Sequence, residues 1–288
     1  MSTAKDIALG RGRTMVLNPY WLLLAPVLGL LGIFYIYPLL NVLSMSVTQP
    51  YPGIENFTHL IFSPGPRRII LNTFRICLIT TAISVMVSYA LACVVVRVSA
   101  RQRQIMIAVI LMSLWISVLI RAFSWLILLS DHGLVNNLLI SLRVIHTPLS
   151  LVYNQTGVII GMVHYLLPYA VLPLLASMRA IDPALIRASY SLGAKRVRTF
   201  ILVFMPLSLP GVAAACVIVF VFSLGFYITP SILGGGRVVM LSEYISVSVL
   251  QELRWGFAAA QAVTLLGLTV LVLGIGGRLL GSKRILPS

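Results

Sequence analysis

Residues 207–233 have the sequence LSLPGVAAACVIVFVFSLGFYITPSIL and contain no Asp, Glu, Lys or Arg. An α-helix rises about 1.5 Å per residue, so a run of this length crosses the roughly 30 Å hydrocarbon core of a bilayer. The whole chain has the same character, because 59% of its 288 residues are apolar, 9% are charged and its mean hydropathy is +1.03. Soluble proteins carry about 25% charged residues. The composition therefore excludes a water-soluble fold and predicts an all-α membrane protein.

Five more apolar runs of similar length accompany this one. The six predicted spans are residues 21–47, 69–96, 105–130, 157–178, 207–233 and 257–280. The first run is longer than the roughly 7–15 apolar residues of a signal peptide, so we expect it to be retained. Six spans with short connections occupy residues 1–288 and predict a single transmembrane domain.

The basic residues indicate how the chain is oriented. With a cytoplasmic N-terminus, 14 of the 21 Lys and Arg residues fall in inner segments, and two, Arg75 and Arg121, fall within spans. The outer loops hold the other five: Arg67, Arg68, Arg143, Arg237 and Arg254. Loops rich in Lys and Arg stay cytoplasmic, so we predict that both termini are cytoplasmic. The formal charge of +15 then reflects orientation in a lipid membrane and not a nucleic-acid partner.

The longest inner segment, residues 179–206, is patterned. Asp182 before Pro183 predicts a helix N-cap with proline at the first helical position. Four residues fall near one face of this helix: Leu185, Ala188, Ser189 and Leu192. Gly193 is placed to end it. We expect a second helix from Lys195 to Met205, stopped by Pro206.

This segment resembles the EAA loop of ABC-transporter permeases, the membrane subunits of binding-protein-dependent importers. Arg187, Ala188 and Ser189 align with the Glu-Ala-Ala triplet, and residues 205–206 (Met-Pro) align with the closing Leu-Pro. The other positions that fit the pattern are Leu192, Gly193, Ala194 and Phe200. Arg187 replaces the usual glutamate, which puts in doubt any ion pair that this glutamate makes with the ATPase.

Three further fragments resemble the spermidine/putrescine-type permease subfamily. They are residues 121–125 (RAFSW) leading to 133–136 (GLVN), residues 227–230 (YITP) leading to 233–236 (LGGG), and residues 255–259 (WGFAA). The resemblance implies the type I ABC importer permease fold, with six transmembrane helices, in a bacterial inner membrane. It also implies that the chain works with a second permease, expected to be a homologue in a heterodimer, and with a periplasmic or lipid-anchored binding protein.

The resemblance places ATP hydrolysis in a separate ATPase dimer, which binds ATP and Mg²⁺. No Gly-x-x-x-x-Gly-Lys-Ser/Thr motif occurs in this chain, so we expect a non-catalytic subunit without a cofactor of its own. Cys77, Cys93 and Cys216 have neither metal-ligand nor disulfide spacing, and we expect no metal site.

The residues that the resemblance assigns to ATPase coupling are Asp182, Arg187, Ala188, Ser189, Leu192, Gly193, Ala194, Lys195, Arg196, Arg198 and Pro206. Lys195, Arg196 and Arg198 could pair with acidic residues on the ATPase. The alternative is that these three are only the basic anchors found on the inner face of any membrane protein.

Polar and aromatic residues within the spans are candidates for the substrate path. They are Arg121, Trp125, His164, Tyr165, Tyr169, Phe226 and Tyr227. A structural role for Arg121, bonded to backbone carbonyls or extended to the interface, is an equal alternative. A lone histidine such as His164 is more often a satisfied buried residue than a ligand, and a membrane-interface belt is the commoner explanation for the aromatic rings.

The resemblance favours a polyamine as the transported solute, or a related small amine, amino acid or phosphonate. The predicted spans contain no carboxylate, whereas they hold two arginines, which lean toward a substrate with an anionic group. The alternative function is an ion-gradient-driven secondary transporter or a channel, which predicts titratable residues within the spans and inverted repeats.

Overall fold

The computed structural model describes residues 19–281, and the part it describes is helical without a strand. The longer helices are α1 (Pro19–Leu31), α2 (Tyr37–Thr48), α4 (Pro64–Arg97), α5 (Ala100–Met112), α6 (Val118–Leu129), α8 (Gln155–Arg179), α11 (Met205–Leu224), α13 (Leu241–Leu250) and α14 (Trp255–Gly281). The shorter ones are α3 (Glu55–Phe62), α7 (Leu134–Ser141), α9 (Pro183–Ser191), α10 (Arg196–Thr199) and α12 (Ile228–Gly234).

Six helical stretches of the described chain are long and apolar enough to cross a membrane, which confirms the all-α membrane fold. They are Pro26–Thr48, Pro64–Arg97, Val118–Ser141, Gln155–Arg179, Arg196–Leu224 and Trp255–Arg278. Five basic residues used to predict the orientation lie outside the described residues: Lys5, Arg11, Arg13, Lys283 and Arg284.

The described chain forms two compact units, residues 19–44 and residues 45–281. The first unit contains α1, a π-helical turn at Gly32–Ile36 and most of α2. Within the second unit, α4, α8 and α11 pack against one another and contain most of the buried apolar side chains.

Small side chains let these three helices approach closely. One face of α4 buries residues three or four positions apart, among them Thr73, Cys77, Ser84, Ser88 and Ala92. The hydroxyl of Ser88 donates to the Leu167 carbonyl of α8 (3.2 Å). Packing of small residues and hydrogen bonds between helices hold membrane helices together, because lipid provides no hydrophobic driving force between them.

The third predicted span, residues 105–130, is wrong as a single helix. The chain forms α5, a 3₁₀ turn at Ser113–Trp115 and an extended step at Ile116–Ser117 before α6 begins. No proline or glycine marks this break in the sequence. Instead, the guanidinium of Arg121 donates to the carbonyls of Ser113 and Ile116, which the break leaves without helical partners.

The prediction that Pro206 stops the second helix of residues 179–206 is also wrong. From Arg196 the chain stays helical through a π turn at Phe200–Phe204 and continues directly into α11. Proline has no N–H and its ring clashes with the carbonyl four residues earlier. In the wider π turn, the Met205 N–H donates to the Phe200 carbonyl, five residues back. The backbone hydrogen-bond pattern is thus shifted by one residue just before the proline.

The fifth predicted span, residues 207–233, therefore begins earlier and ends earlier than expected. Helix α11 stops at Leu224, and Gly225 leads into a non-helical step before the short helix α12. Helix α12 then ends at Gly235, whose φ of 53° lies in the left-handed region.

Gly211 sets the distance between α11 and α8. A Cβ atom at this position would lie 2.5 Å from the Ser177 Cβ and 3.1 Å from the Pro173 carbonyl oxygen. Because the second of these atoms is backbone, a larger residue can be accommodated only if the two helices move apart.

We predict that Gly211→Val overpacks this contact and lowers the free energy of unfolding of the purified protein by about 1–3 kcal/mol, and its melting temperature with it. The matched control is Gly267→Val in α14, where a Cβ atom meets nothing within 4 Å. Fluorescence-detected size-exclusion chromatography after heating provides the measurement. Equal melting temperatures for the two variants would show that the α8–α11 contact does not depend on Gly211.

Candidate functional site

The segment between α8 and α11 begins with the capped helix that the sequence predicts. The Asp182 carboxylate accepts a hydrogen bond from the Ala184 N–H (2.8 Å), and Pro183 is the first helical residue. At the other end, the Ala194 N–H bonds the Ser189 carbonyl (3.1 Å) and the Gly193 N–H bonds the Tyr190 carbonyl (2.9 Å). These two bonds define a Schellman turn, and Gly193 adopts the left-handed conformation that the turn requires (φ 81°).

A buried hydroxyl pair fixes the two arms of this segment relative to each other. The Oγ atom of Ser189 in α9 lies 2.7 Å from Oγ1 of Thr199 in α10, and both side chains are buried. Ser189 also donates to the Ile186 carbonyl (3.1 Å), so the Thr199 hydroxyl is the donor of the pair. The Schellman turn and the hydroxyl pair together hold the two helices of residues 182–199 in a fixed arrangement.

The exposed surface of this element, which we call the coupling surface, carries both apolar and basic side chains. Leu192 is 87% exposed, Val197 70%, and Leu185 and Tyr190 47% each. The exposed basic residues around them are Arg187, Lys195, Arg196 and Arg198. Ala188, Gly193 and Pro206 are exposed as well, and Ala194 is half-buried. Of the four residues predicted to share a helix face, only Ser189 is buried, so Leu185 and Leu192 are left for another molecule to cover.

A continuous set of aromatic rings joins α8 to the end of α11. Tyr165 stacks on Tyr169 with ring centroids 5.8 Å apart and contacts Phe226 at 4.7 Å. Tyr169 also contacts Phe222 at 4.8 Å. We call these four residues the aromatic wall; three are half-buried and Phe222 is 46% exposed.

Three more predicted path residues flank the wall. The guanidinium of Arg121 lies 4.9 Å from the Tyr165 ring centroid, and Arg121 is only 5% exposed. On the neighbouring turn of α8, His164 Nδ1 accepts a hydrogen bond from the Trp125 indole N–H (3.1 Å). The hydrogen bond pairs one ring nitrogen of His164, but the side chain is exposed and is not the buried core residue offered as its alternative. Arg121 donates to backbone carbonyls, as its structural alternative describes.

The sequence prediction missed Phe222, and it included Tyr227, whose ring is not one of the four that form the aromatic wall. Phe222 lies four positions before Phe226, just as Tyr165 lies four before Tyr169, and this matched helical spacing was the signal available. Tyr227 is 42% exposed, and its hydroxyl accepts a hydrogen bond from Ser246 of α13 (3.4 Å).

Residues 84–283 match the family described as binding-protein-dependent transport system inner membrane component. The chain belongs to this family. It is 32% identical over 233 residues to the spermidine/putrescine transport system permease protein PotB of Escherichia coli strain K12, with 80% of this chain and 84% of the relative covered. The PotB protein of Haemophilus influenzae is 30% identical over 219 residues, covering 76% of this chain and 75% of the relative.

The family's fold is found in solved importers as well. A crystal structure of a bacterial alginate ABC transporter, in complex with an alginate pentasaccharide-bound periplasmic protein, matches 93% of this chain and 94% of its own with a TM-score of 0.74 and 21% identity. The family match and the PotB relatives make the chain a permease subunit of an ABC importer, a multi-pass inner-membrane protein, and the crystal structure shows that the fold is shared.

We predict that Ser189→Ala loosens the coupling surface of this permease, because Thr199 then keeps a buried hydroxyl without its partner, at a cost of about 1–3 kcal/mol. The control is Ser191→Ala, since the exposed Ser191 hydroxyl bonds only the Arg187 carbonyl of its own helix. Limited trypsin digestion in membrane vesicles should cleave after Lys195 and Arg196 faster in Ser189→Ala than in Ser191→Ala. Identical digestion rates would contradict the assignment.

Proposed function

We propose that this permease forms half of the translocation path of an ATP-driven polyamine importer and that residues 182–199 couple it to an ATPase dimer. The coupling surface carries the proposal, because a patch of exposed apolar side chains that includes Leu192 (87% exposed) and is surrounded by basic residues is typical of a protein interaction site. The basic residues suit an acidic rim on the ATPase, which binds ATP and Mg²⁺. This chain supplies no catalytic residue to that reaction.

The same assignment gives the orientation and the remaining partners. The coupling surface, with its cluster of basic residues, faces the cytoplasm, and so do both termini. A homologous second permease completes the path as a heterodimer, and a periplasmic or lipid-anchored binding protein delivers the solute from the other side. The similarity to PotB proteins and to an alginate importer crystallised with its periplasmic protein supports this assembly.

The aromatic wall supports a cationic solute. Aromatic faces attract ammonium groups by about 0.5–2 kcal/mol each, and the wall offers partly open rings on two helices. Arg121 does not argue for an anionic solute, since its guanidinium is directed to the Ser113 and Ile116 carbonyls and to Tyr165.

In this proposal the second permease supplies the carboxylate groups that would face a polyamine in the path. Glu243, in the short helix α13, is 7% exposed, and burial raises the pKa of its carboxyl group. Because its side chain is buried, Glu243 is not open to a passing ammonium group.

We predict that Leu192→Asp weakens attachment of the ATPase, since the lost burial of one leucine corresponds to about 1.5–3 kcal/mol. The variant should insert normally, because the side chain has almost no contacts within the chain. Leu142→Asp is the control, a leucine 64% exposed at the end of α7, far along the chain from the coupling surface. Co-purification of the ATPase and ATP-dependent uptake are measured together. Full uptake with normal attachment in Leu192→Asp would remove the basis for the coupling role.

For the solute, we predict that Phe222→Leu raises the KM for spermidine uptake about 2- to 30-fold, the equivalent of one cation–π contact. Phe123→Leu is the matched control, because Phe123 is also about half exposed (51%) but lies on α6 outside the aromatic wall. The KM of each variant is measured from uptake of radiolabelled spermidine into proteoliposomes, with ATP hydrolysis recorded in parallel. An unchanged KM in Phe222→Leu would argue against a cation moving along this wall.

A further inference from the structure

Three arginines line one cavity at the end of α4 that lies away from the coupling surface. The cavity has a volume of about 690 Å³, and its basic residues are Arg68 and Arg75 of α4 and Arg237 from the loop after α12. The other end of α4 is the one near the coupling segment, where Arg97 lies 6.0 Å from the Phe200 ring centroid. The cavity is thus separated from that segment by most of the length of a 34-residue helix.

Specific contacts hold Arg237 beside α4. The Leu241 N–H donates to the Thr73 hydroxyl (2.8 Å), and the Asn72 side-chain amide donates to the Val239 carbonyl (3.5 Å). Gly235 and Gly236, with φ of 53° and 72°, turn the chain just before the arginine. The turn is packed against an aromatic ring, because a Cβ atom at Gly235 would lie 2.2 Å from Cδ1 of Tyr153. The position of the third arginine is therefore built into the fold.

The lining of the cavity suits an oxyanion. The described residues that line it include no Asp or Glu, so the three guanidinium groups have no counter-ion there. Gln155 lines the same cavity, and its buried Nε2 atom has no hydrogen-bond partner within the described part of the chain. Guanidinium groups bind phosphate oxygens with two parallel hydrogen bonds, and an amide N–H can add another.

The positions of the arginines along α4, and so their depth in the membrane, indicate the source of a phosphate group that would bind here. Arg75 lies seven residues beyond Arg68, about 10 Å further along the helix axis, in a segment long enough to span the membrane. Leu71 (60% exposed) and Leu78 (55% exposed) alternate with these arginines along one stripe of α4. A phospholipid fits this stripe, because its phosphate can reach the guanidinium groups while an acyl chain covers the two leucines.

We propose that this cavity binds the phosphate of an anionic phospholipid headgroup. The shared chemistry is a phosphate oxyanion, and three positive charges favour a headgroup with net negative charge over a zwitterionic one. The site is independent of the polyamine and coupling assignments, since none of its residues belongs to the aromatic wall or to the coupling surface. A bound lipid would tie α4 to the segment that joins α12 and α13.

The test is the lipid retained by the protein, purified with whatever subunits accompany it, in detergent that contains equal amounts of phosphatidylglycerol and phosphatidylcholine. Native mass spectrometry counts both lipids in the wild type and in the Arg75→Gln/Arg237→Gln double variant. Each basic residue near an anionic headgroup contributes about fivefold, so the double variant should lose about 25-fold in its preference for phosphatidylglycerol. The Arg75→Lys/Arg237→Lys variant should keep most of that preference, which separates loss of charge from misfolding.

Arg67→Gln is the control, because Arg67 adjoins Arg68 on α4 but does not line the cavity, and it should retain lipid like the wild type. A second arm adds labelled inorganic phosphate without lipid. Arginine-dependent binding in that arm alone would support the oxyanion site with free phosphate as its source. Equal lipid retention and equal phosphate binding in the wild type and the double variant would overturn the proposal. So would loss of a binding-protein partner from the double variant with lipid retention unchanged, which would assign the cavity to an acidic protein surface.

Discussion

The backbone groups of this permease have no water to bind in the hydrocarbon core, and that constraint shapes the break before α6 and the passage of two helices through proline. A peptide group left unpaired in lipid costs several kcal/mol, so each break needs a local partner. At Ile116–Ser117 the partner is Arg121, which is buried and donates to two carbonyls on the far side of the break. An arginine placed at this depth is expensive by itself, and the freed carbonyls and the Tyr165 ring are what make its position tolerable.

Proline is handled by a second form of the same constraint. Two π turns occur in the described chain at Gly32–Ile36 and Phe200–Phe204, and in each case a proline, Pro38 or Pro206, is the second residue after the turn. The N–H immediately before the proline bonds a carbonyl five residues back, to Gly32 in one turn and to Phe200 in the other. The wider turn accommodates the missing donor, so both helices continue where a regular ladder would be interrupted.

Helices α8 and α11 connect residues 182–199 to the aromatic wall. Tyr165 and Tyr169 of the aromatic wall lie on α8, which ends at Arg179 just before the capped helix of the coupling surface. On the return path, α10 and the π turn continue directly into α11, which carries Phe222. With Gly211 holding α8 against α11, a movement imposed on residues 182–199 has a packed helix pair, not a flexible linker, through which to reach the wall.

The sequence by itself determined the membrane class, the number of spans, the capped helix from Asp182 and the turn at Gly193. These follow from composition and from local chemistry, since a helix cap or a left-handed glycine needs only its chain neighbours. Three residues of the wall, Tyr165, Tyr169 and Phe226, follow from the sequence as polar or aromatic residues within spans, whereas only helical spacing marks Phe222. The break before α6, the passage of α11 through Pro206, the burial of Ser189 against Thr199 and the meeting of Arg237 with Arg75 were decided only by tertiary structure. The meeting of Arg237 with Arg75 depends on a partner that is distant in sequence. The other three depend on side-chain contacts and hydrogen-bond registers that hydrophobic periodicity does not specify.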